Sequence, residues 1–229
     1  MSFEIPLFPL NVVLFPGMPL PLHIFEPRYR LMIGRCMKGE RTFGVSQLGE
    51  GTEGMAGTTA LAVGTLAEIL EVEPFADGRM NVQTVGTRRF EILSTREMDD
   101  YLVATCDYLE DEIEDDLGAD AMRARRVLSR YFDSLAVNTD LPEAIGQLEI
   151  PNEPFALSMF IAAIMSLPGD QKQQLLEMTS TRNRLQLEEF LLARAEIVQR
   201  AYSKHAAMGQ IQPPIDNSLG QFSNFVSPN

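Results

Sequence analysis

The sequence has few of the side chains that build metal centres and nucleophilic active sites. Its 229 residues include two cysteines, Cys36 and Cys106, and two histidines, His23 and His205. These residues lie far apart and do not form a four-ligand cluster, so we expect no zinc or other metal site. Because both cysteines lie among apolar neighbours, we expect buried free thiols, which suit a reducing cytoplasm.

Sequence motifs for nucleotide binding and hydrolysis are also missing. The chain contains no GxxxxGK[ST], GxSxG or HExxH pattern. The segment Gly49–Gly54 does satisfy GxGxxG, but another glycine and several β-branched residues follow it instead of a helix. We therefore interpret this segment as a hairpin loop, and we expect no cofactor and no catalytic residue. A hydrolase would need a nucleophile and a base that the motifs do not supply.

Positive charge and long apolar runs are scarce. There are 19 Lys and Arg residues against 32 Asp and Glu, which gives a net charge of −13 and argues against nucleic-acid binding. The longest apolar run, 155–167, contains two serines and is shorter than the ~20 residues that span a bilayer. The N-terminus lacks the order of a signal peptide. We expect a cytoplasmic protein that does not enter the membrane.

Proline, in contrast, is abundant near the N-terminus. The segment 5–29 contains six prolines separated by apolar residues. A proline fixes φ and has no backbone N–H, so it fits neither a helix interior nor a central strand. This pattern predicts short extended pieces at the edge of a β structure, with an apolar surface that is open to a binding partner.

The remaining pattern divides the chain into a β-rich part and a helical part. We predict a β-rich part at 1–109, an acidic linker at 110–117, a helical part at 118–208 and a flexible tail at 209–229. Eight acidic residues and no basic residue occupy 107–120. This run could bind a metal or a cationic partner, but like-charge blocks are more often solvated, so we favour a linker. Strands on both sides of Asp77-Gly78 and an irregularity near Gly86 complete the prediction for the β-rich part.

Several ordered segments resemble one known family. The segment PLFPLNVVLFPGMPLPLHIFEPRYRLMI at 6–33 resembles the start of the Lon N-terminal, substrate-binding domain. The strands at 41–46, 63–69 and 85–92 follow in the order that this family has, and the resemblance spans about residues 3–205. It implies an α+β fold in which a PUA-like β pseudo-barrel is followed by a C-terminal helical bundle.

The resemblance also implies a function. The ATPase module and the Ser-Lys proteolytic dyad of Lon proteases lie outside the resembling part, so we expect a stand-alone, non-catalytic module. We expect it to bind unfolded polypeptides or a protein partner in protein quality control. An apolar edge with a polar rim forms the predicted site: Phe8, Phe15, Met18, Phe25, Glu26, Arg28, Tyr29 and Arg30. For Glu26, Arg28, Tyr29 and Arg30, however, we favour helix capping plus a surface ion pair over a role as the polar rim of a binding surface.

Two other functions stay open at this point. The chain could be an adaptor that docks one folded partner, such as a protease or ligase subunit. PUA-like relatives in other families bind RNA, although the acidic balance of this chain argues against that function. The sequence carries no signal for the oligomeric state.

Overall fold

The computed structural model describes residues 2–49, 60–136 and 149–207. Within them the chain forms six strands and five helices. The strands are β1 (Phe3–Leu10), β2 (Pro19–Ile24), β3 (Thr42–Leu48), β4 (Ala60–Pro74), β5 (Met80–Met98) and β6 (Tyr101–Tyr108). The helices are α1 (Pro27–Cys36), α2 (Gly118–Ala136), α3 (Pro154–Ile164), α4 (Gly169–Glu177) and α5 (Thr181–Ala207). The predicted tail at 209–229 and most of the Gly49–Gly54 motif lie outside the described residues.

Five strands form a closed ring in the order β5-β4-β3-β1-β6, which closes through pairing of β5 with β6. The strands β1 and β3 run parallel, and the other neighbours are antiparallel. The long strand β5 pairs with β4 along one edge, and along its other edge the first half pairs with β2 and the second half with β6. The strand β2 therefore joins the sheet through β5 alone, and its other edge is unpaired by any described strand.

Gly86 is the point where β5 meets the Pro16-Gly17 corner. The N–H of Gly17 donates to the carbonyl oxygen of Gly86, and the N–H of Gly86 donates to the carbonyl oxygen of Met18, both at 2.8 Å. A Cβ atom at Gly86 would lie 2.2 Å from the carbonyl oxygen of Phe15, so only glycine permits this approach. The β4–β5 register shifts opposite the segment from Gly86 to Arg89, which confirms the predicted irregularity.

The chain divides into two compact units. The first comprises 1–110 and 167–179, and the second comprises 111–166 and 180–229. The first unit thus contains the six strands, α1 and also α4. Side chains anchor α4 to the sheet, because Gln173 donates to the carbonyl oxygen of Val63 at 3.1 Å and Arg89 donates to that of Met178 at 2.7 Å. The boundaries predicted from the sequence stay a prediction, and they did not anticipate that α4 packs with the strands.

The second unit consists of α2, α3 and α5 among the described elements. Pro154 opens α3, and the carboxylate of Glu153 caps it by accepting from the N–H groups of Phe155 (3.0 Å) and Ala156 (2.7 Å). At the start of α5, the hydroxyl of Ser180 caps the helix by accepting from the N–H of Asn183 at 3.1 Å. None of the described helices combines the length and the apolar character needed to cross a membrane.

The acidic stretch after β6 makes specific contacts. Within the second unit, Asp111 lies 3.5 Å from the guanidinium of Arg184 and Asp120 lies 3.3 Å from that of Arg182. The carboxylate of Glu114 accepts from the N–H of Arg182 at 3.0 Å. Two carboxylates of the predicted linker, Asp111 and Glu114, therefore contact arginine residues. Across the described ranges, no three acidic, histidine or cysteine side chains cluster in a way that could hold a metal ion.

Candidate polypeptide-binding groove

An apolar groove of about 430 Å³ opens in the first unit where β6 begins. The strand β1 pairs with β6 only as far as Leu7, opposite Leu102, although β1 continues to Leu10 beside β3. The last residues of β1 and the unpaired edge of β2 therefore form the two walls of the groove. We name it the β1–β2 groove, and its lining residues are Phe8, Leu10, Pro21, Leu22, His23, Ile24, Phe25, Glu26 and Tyr29.

The free edge of β2 offers few backbone donors. The carbonyl oxygen of Met18, just before β2, accepts from the N–H of Gly86 in β5. In an antiparallel strand, every second residue directs its backbone N–H and C=O groups to the same neighbouring strand. Pro19, Pro21 and His23 therefore turn their backbone groups away from β5, and of these three only His23 has an N–H. The prolines protect this edge from pairing with another strand. A bound segment would consequently be held by side-chain packing more than by a backbone ladder.

Two stacked aromatic rings form the floor of the groove. The ring centroids of Phe8 and Tyr29 lie 3.9 Å apart with an interplanar angle of 25°. Both side chains are buried, with 6% and 5% exposed. Phe8 comes from β1, and Tyr29 lies in the first turn of α1, where Pro27 starts the helix. Because buried aromatic pairs have little freedom to move, this floor exists before any ligand binds.

The rim of the groove carries an exposed aromatic side chain. Phe25, directly after β2, is 62% exposed. Its ring lies beside that of His23 at a centroid distance of 6.4 Å, and the ring of His23 lies 5.9 Å from that of Phe75. The Nδ1 atom of His23 is 2.8 Å from the Oδ1 atom of Asn81, which fixes the imidazole plane. An apolar ligand would cover Phe25 and remove its ring from water.

A charge pair marks the end of the groove where α1 begins. The Nη2 atom of Arg28 lies 3.0 Å from the Oε2 atom of Glu26. The same guanidinium lies 4.6 Å above the ring centroid of Tyr29 and donates to the carbonyl oxygen of Asp100 at 3.3 Å. Glu26 occupies the N-cap position of α1, but its side chain caps no backbone N–H of the helix and accepts instead from the Nε atom of Arg28 at 3.0 Å. The pair therefore holds the polar rim in place instead of capping the helix.

The structure brings half of the predicted site together at the β1–β2 groove. Phe8, Phe25, Glu26 and Tyr29 line it, and Arg28 lies next to it. Arg30 instead covers the turn between β4 and β5, where a Cβ atom at Gly78 would lie 1.9 Å from its Nη2 atom.

Phe15 and Met18 belong to the core, with 0% and 4% exposed. They flank the corner that packs on Gly86, so they support the barrel from inside and do not form its surface.

Sequence reasoning missed five of the lining residues: Leu10, Pro21, Leu22, His23 and Ile24. A signal for part of this set was present. Pro21, His23 and Phe25 are exposed, and they alternate with the buried or half-buried Leu22 and Ile24. That alternation has the two-residue period of a strand with one face in solvent.

A second groove, of about 500 Å³, lies beside the β5–β6 hairpin, and none of the eight predicted residues lines it. Arg35 lines this groove, and its guanidinium already contacts the carboxylate of Asp99 at 2.6 Å and the hydroxyl of Tyr101 at 2.8 Å. Cys36 also lines it, and burial raises the pKa of this thiol to about 11. Burial likewise raises the pKa of Cys106 to about 12. Both cysteines are free and buried, as predicted, and their protonated thiols are poor nucleophiles.

The fold and the groove define a class of protein: a PUA-like β pseudo-barrel, followed in the chain by a helical bundle, with an apolar groove at the barrel edge. The chain belongs to the family described as the ATP-dependent protease La (LON) substrate-binding domain, whose model matches residues 4–194. The family and the α+β fold that the sequence predicted are thereby confirmed.

The curated relatives are Lon proteases. The chain is 29% identical over 196 residues to the Lon protease of Escherichia coli strain K12. This alignment covers 84% of the present chain and 24% of the Lon protease. It is 28% identical over 179 residues to Lon protease 1 of Hydrogenovibrio crunogenus, which covers 77% of this chain and 22% of that protein. The chain thus spans less than a quarter of the length of these relatives.

Two solved structures have the same fold. The Lon N-terminal domain protein from Xanthomonas campestris is 25% identical, with a TM-score of 0.59 over 81% of this chain and 96% of that chain. The N-terminal domain of a Mycobacterium avium complex Lon protease aligns with a TM-score of 0.62 at 20% identity, over 85% and 98% of the two chains. The second likeness concerns the fold alone.

Proposed function

We propose that this protein is a substrate-recognition module that binds exposed apolar segments of partly unfolded polypeptides in the β1–β2 groove. The observation that carries the proposal is the exposed ring of Phe25 above a preformed aromatic floor. Membership of a substrate-binding family supports protein substrates as the ligand class. Because prolines remove donors from the edge of β2, the groove suits apolar side chains of many sequences, which is what a receptor for unfolded chains needs.

We further propose that the module acts without covalent chemistry and without a cofactor, in the cytoplasm. Two observations support a non-catalytic role. The thiols of Cys36 and Cys106 are buried and protonated, and the arginine and carboxylate beside the groove neutralise each other. Neither arrangement resembles an activated nucleophile with its base.

The test is a binding measurement on the purified full chain. A fluorescently labelled polypeptide, held unfolded by a destabilising mutation, is compared with its folded parent by anisotropy across a salt series. We expect micromolar binding of the unfolded form only, with weak dependence on salt because the contacts are apolar. The variant Phe25→Ala should weaken binding by about tenfold, since it removes the exposed ring that a bound apolar segment would cover.

The matched control is Leu93→Ala. Leu93 is 54% exposed on β5 and does not line either groove, so this variant should bind like the wild type. If both variants bind the unfolded polypeptide as tightly as the wild type does, the groove is rejected as the binding site. Binding of neither polypeptide form would reject the general receptor and favour an adaptor that docks one folded partner.

A further inference from the structure

One face of α5 is apolar and exposed. On its inner side, Leu185 and Leu192 are buried in the helical unit, with 1% and 0% exposed. Large apolar side chains on the outer side are exposed instead: Leu187, Phe190, Ile197 and Val198. Phe190 and Ile197 reach 62% and 69% exposure. Several such side chains on one helix mark an interaction surface.

The spacing of the exposed residues is that of a coiled-coil seam. Seven of the exposed positions along α5 are separated alternately by four and three residues, which is the spacing of the a and d positions of a heptad. The seam consists of Asn183, Leu187, Phe190, Arg194, Ile197, Ala201 and Lys204. A stripe with this period stays in line with a second helix that supercoils around the first. The seam therefore fits a helix better than it fits a strand or a loop.

The charge of the seam is opposite to that of the protein. The chain has a net charge of −13, yet the charged residues of the seam are Arg194 and Lys204. The acidic residues of α5 lie elsewhere: Glu188 is buried, and Glu189 and Glu196 lie 3.6 Å from Arg123 and 3.3 Å from Arg130. Arg194 is exposed, and within the part of the chain that the structure describes it forms no ion pair.

We propose that the α5 seam docks an amphipathic helix of another protein. The apolar stripe of that helix covers Phe190 and Ile197, and a carboxylate on it pairs with Arg194. A second copy of this chain does not fit, because the seam contains no acidic residue that could face Arg194 in either orientation. Two such seams would bury the Arg194 side chains without a counter-charge, which is unfavourable. The proposal is independent of the function proposed for the β1–β2 groove.

The test uses two synthetic helical peptides of about 21 residues, or three heptads, with leucine at their a and d positions. One peptide carries glutamate at the seam position opposite Arg194, and the other carries lysine there. Binding to the full-length chain is measured by anisotropy of the labelled peptide. We expect the glutamate peptide to bind about tenfold more tightly, and the variant Arg194→Glu to reverse this preference. The overall negative charge would favour the lysine peptide, so a preference for glutamate must arise at the seam.

A second pair of variants keeps fold and binding apart. Ile197→Asp places a charge on the exposed seam and should abolish binding of both peptides, with an unchanged circular dichroism spectrum. Ile113→Asp, at a fully exposed isoleucine of the second unit outside the seam, should leave peptide binding intact. The proposal is overturned if neither peptide binds, or if the two bind equally. It is also overturned if light scattering finds a dimer of this chain that Ile197→Asp dissociates, because the seam would then serve a second copy.

Discussion

Tyr29 of α1 stacks on Phe8 of β1 with their ring centroids 3.9 Å apart, and this contact connects the first helix to the barrel. Tyr29→Ala removes one of the two rings and leaves a cavity beneath the groove. We expect the free energy of unfolding to fall by about 3–5 kcal/mol, as for other buried aromatic truncations. Tyr29→Phe keeps the stacked ring and should lose less. Urea unfolding followed by circular dichroism measures both, and equal losses in the two variants would show that the hydroxyl matters more than the stack.

The buried guanidinium of Arg89 holds α4 against the sheet. It is 2% exposed, and it donates to the carbonyl oxygens of Leu176 and Met178 at the end of α4, where a cation suits the helix dipole. Arg89→Met leaves these carbonyl groups without that donor, so amide hydrogen exchange in α4 should accelerate more than exchange in β3 or β6.

Arg88→Met is the control for Arg89→Met. Arg88 is half-exposed, and it pairs with Glu110 and lies over the ring of Tyr108. Its replacement should change the free energy of unfolding by less than about 1 kcal/mol. If hydrogen exchange in α4 were unchanged in Arg89→Met, the role of Arg89 in holding α4 would be refuted.

Gly86 and Gly34 should respond in opposite directions to alanine. At Gly86 the new methyl group would meet the backbone of Phe15, so we expect Gly86→Ala to lower the free energy of unfolding by about 2 kcal/mol or more. Gly34 lies within α1 with no other atom within 4 Å of the new methyl group. Gly34→Ala should therefore raise the free energy of unfolding by about 0.5–1 kcal/mol through helix propensity. Thermal unfolding of the two variants in parallel checks both signs, and a Gly86→Ala protein as stable as the wild type would contradict the close approach.

Glu188 makes the stability of the helical unit depend on pH. It is fully buried on α5 and accepts a hydrogen bond from the hydroxyl of Ser158 at 2.9 Å. Burial raises the pKa of Glu188 well above its ordinary value, and the nearby charge of Arg184 and this hydrogen bond offset only part of the rise. In the unfolded chain the carboxyl ionises near pH 4.3, about the ordinary value for glutamate. The folded protein therefore keeps this proton to a higher pH than the unfolded chain does. The free energy of unfolding decreases as the pH rises from the pKa of the unfolded chain through the pKa of Glu188 in the folded protein.

Glu188→Gln removes this titration and keeps the acceptor for Ser158. We expect the variant to gain stability over the wild type at about pH 8 and to gain much less at about pH 5, where Glu188 is closer to neutral in both states. The control Glu189→Gln, at a half-exposed ion pair with Arg123, should change the free energy of unfolding by less than about 1 kcal/mol. Equal gains for Glu188→Gln at both pH values would refute a raised pKa.

Much of the fold could be predicted from the sequence, because local rules decide it. Pro154 and Pro27 mark helix starts, Asp77-Gly78 marks a turn, and the ordered segments of the family mark the strands. The place of α4 could not be predicted. In the sequence, its anchor Arg89 and Glu91 alternate with Phe90 and Ile92, a pattern that predicts a solvent-facing arginine. Its burial depends on α4, which follows about eighty residues later and supplies carbonyl oxygens that no sequence pattern reveals.

The candidate site was predictable in part for a similar reason. Proline density and the resemblance locate Phe25, Glu26 and Tyr29 at the barrel edge, and all three line the groove. Phe15 and Met18 lie in the same proline-rich segment, but they are buried at the corner that packs on Gly86. That contact is long-range, so the local sequence pattern does not encode it. The exposed seam of α5 has no separate sequence signal, because an apolar stripe on a helix normally indicates a buried face.

The central claim is that unfolded polypeptide lies in the β1–β2 groove, and site-specific photocrosslinking tests it most directly. A photoreactive phenylalanine analogue replaces Phe25 in one sample and Leu93 in another, both on the exposed surface of the first unit. After irradiation with an unfolded client, mass spectrometry identifies the crosslinked chains. The account predicts crosslinks to apolar client segments from position 25, reduced by unlabelled competitor, and few from position 93. Equal crosslinking from both positions, or crosslinks from position 93 alone, would contradict it.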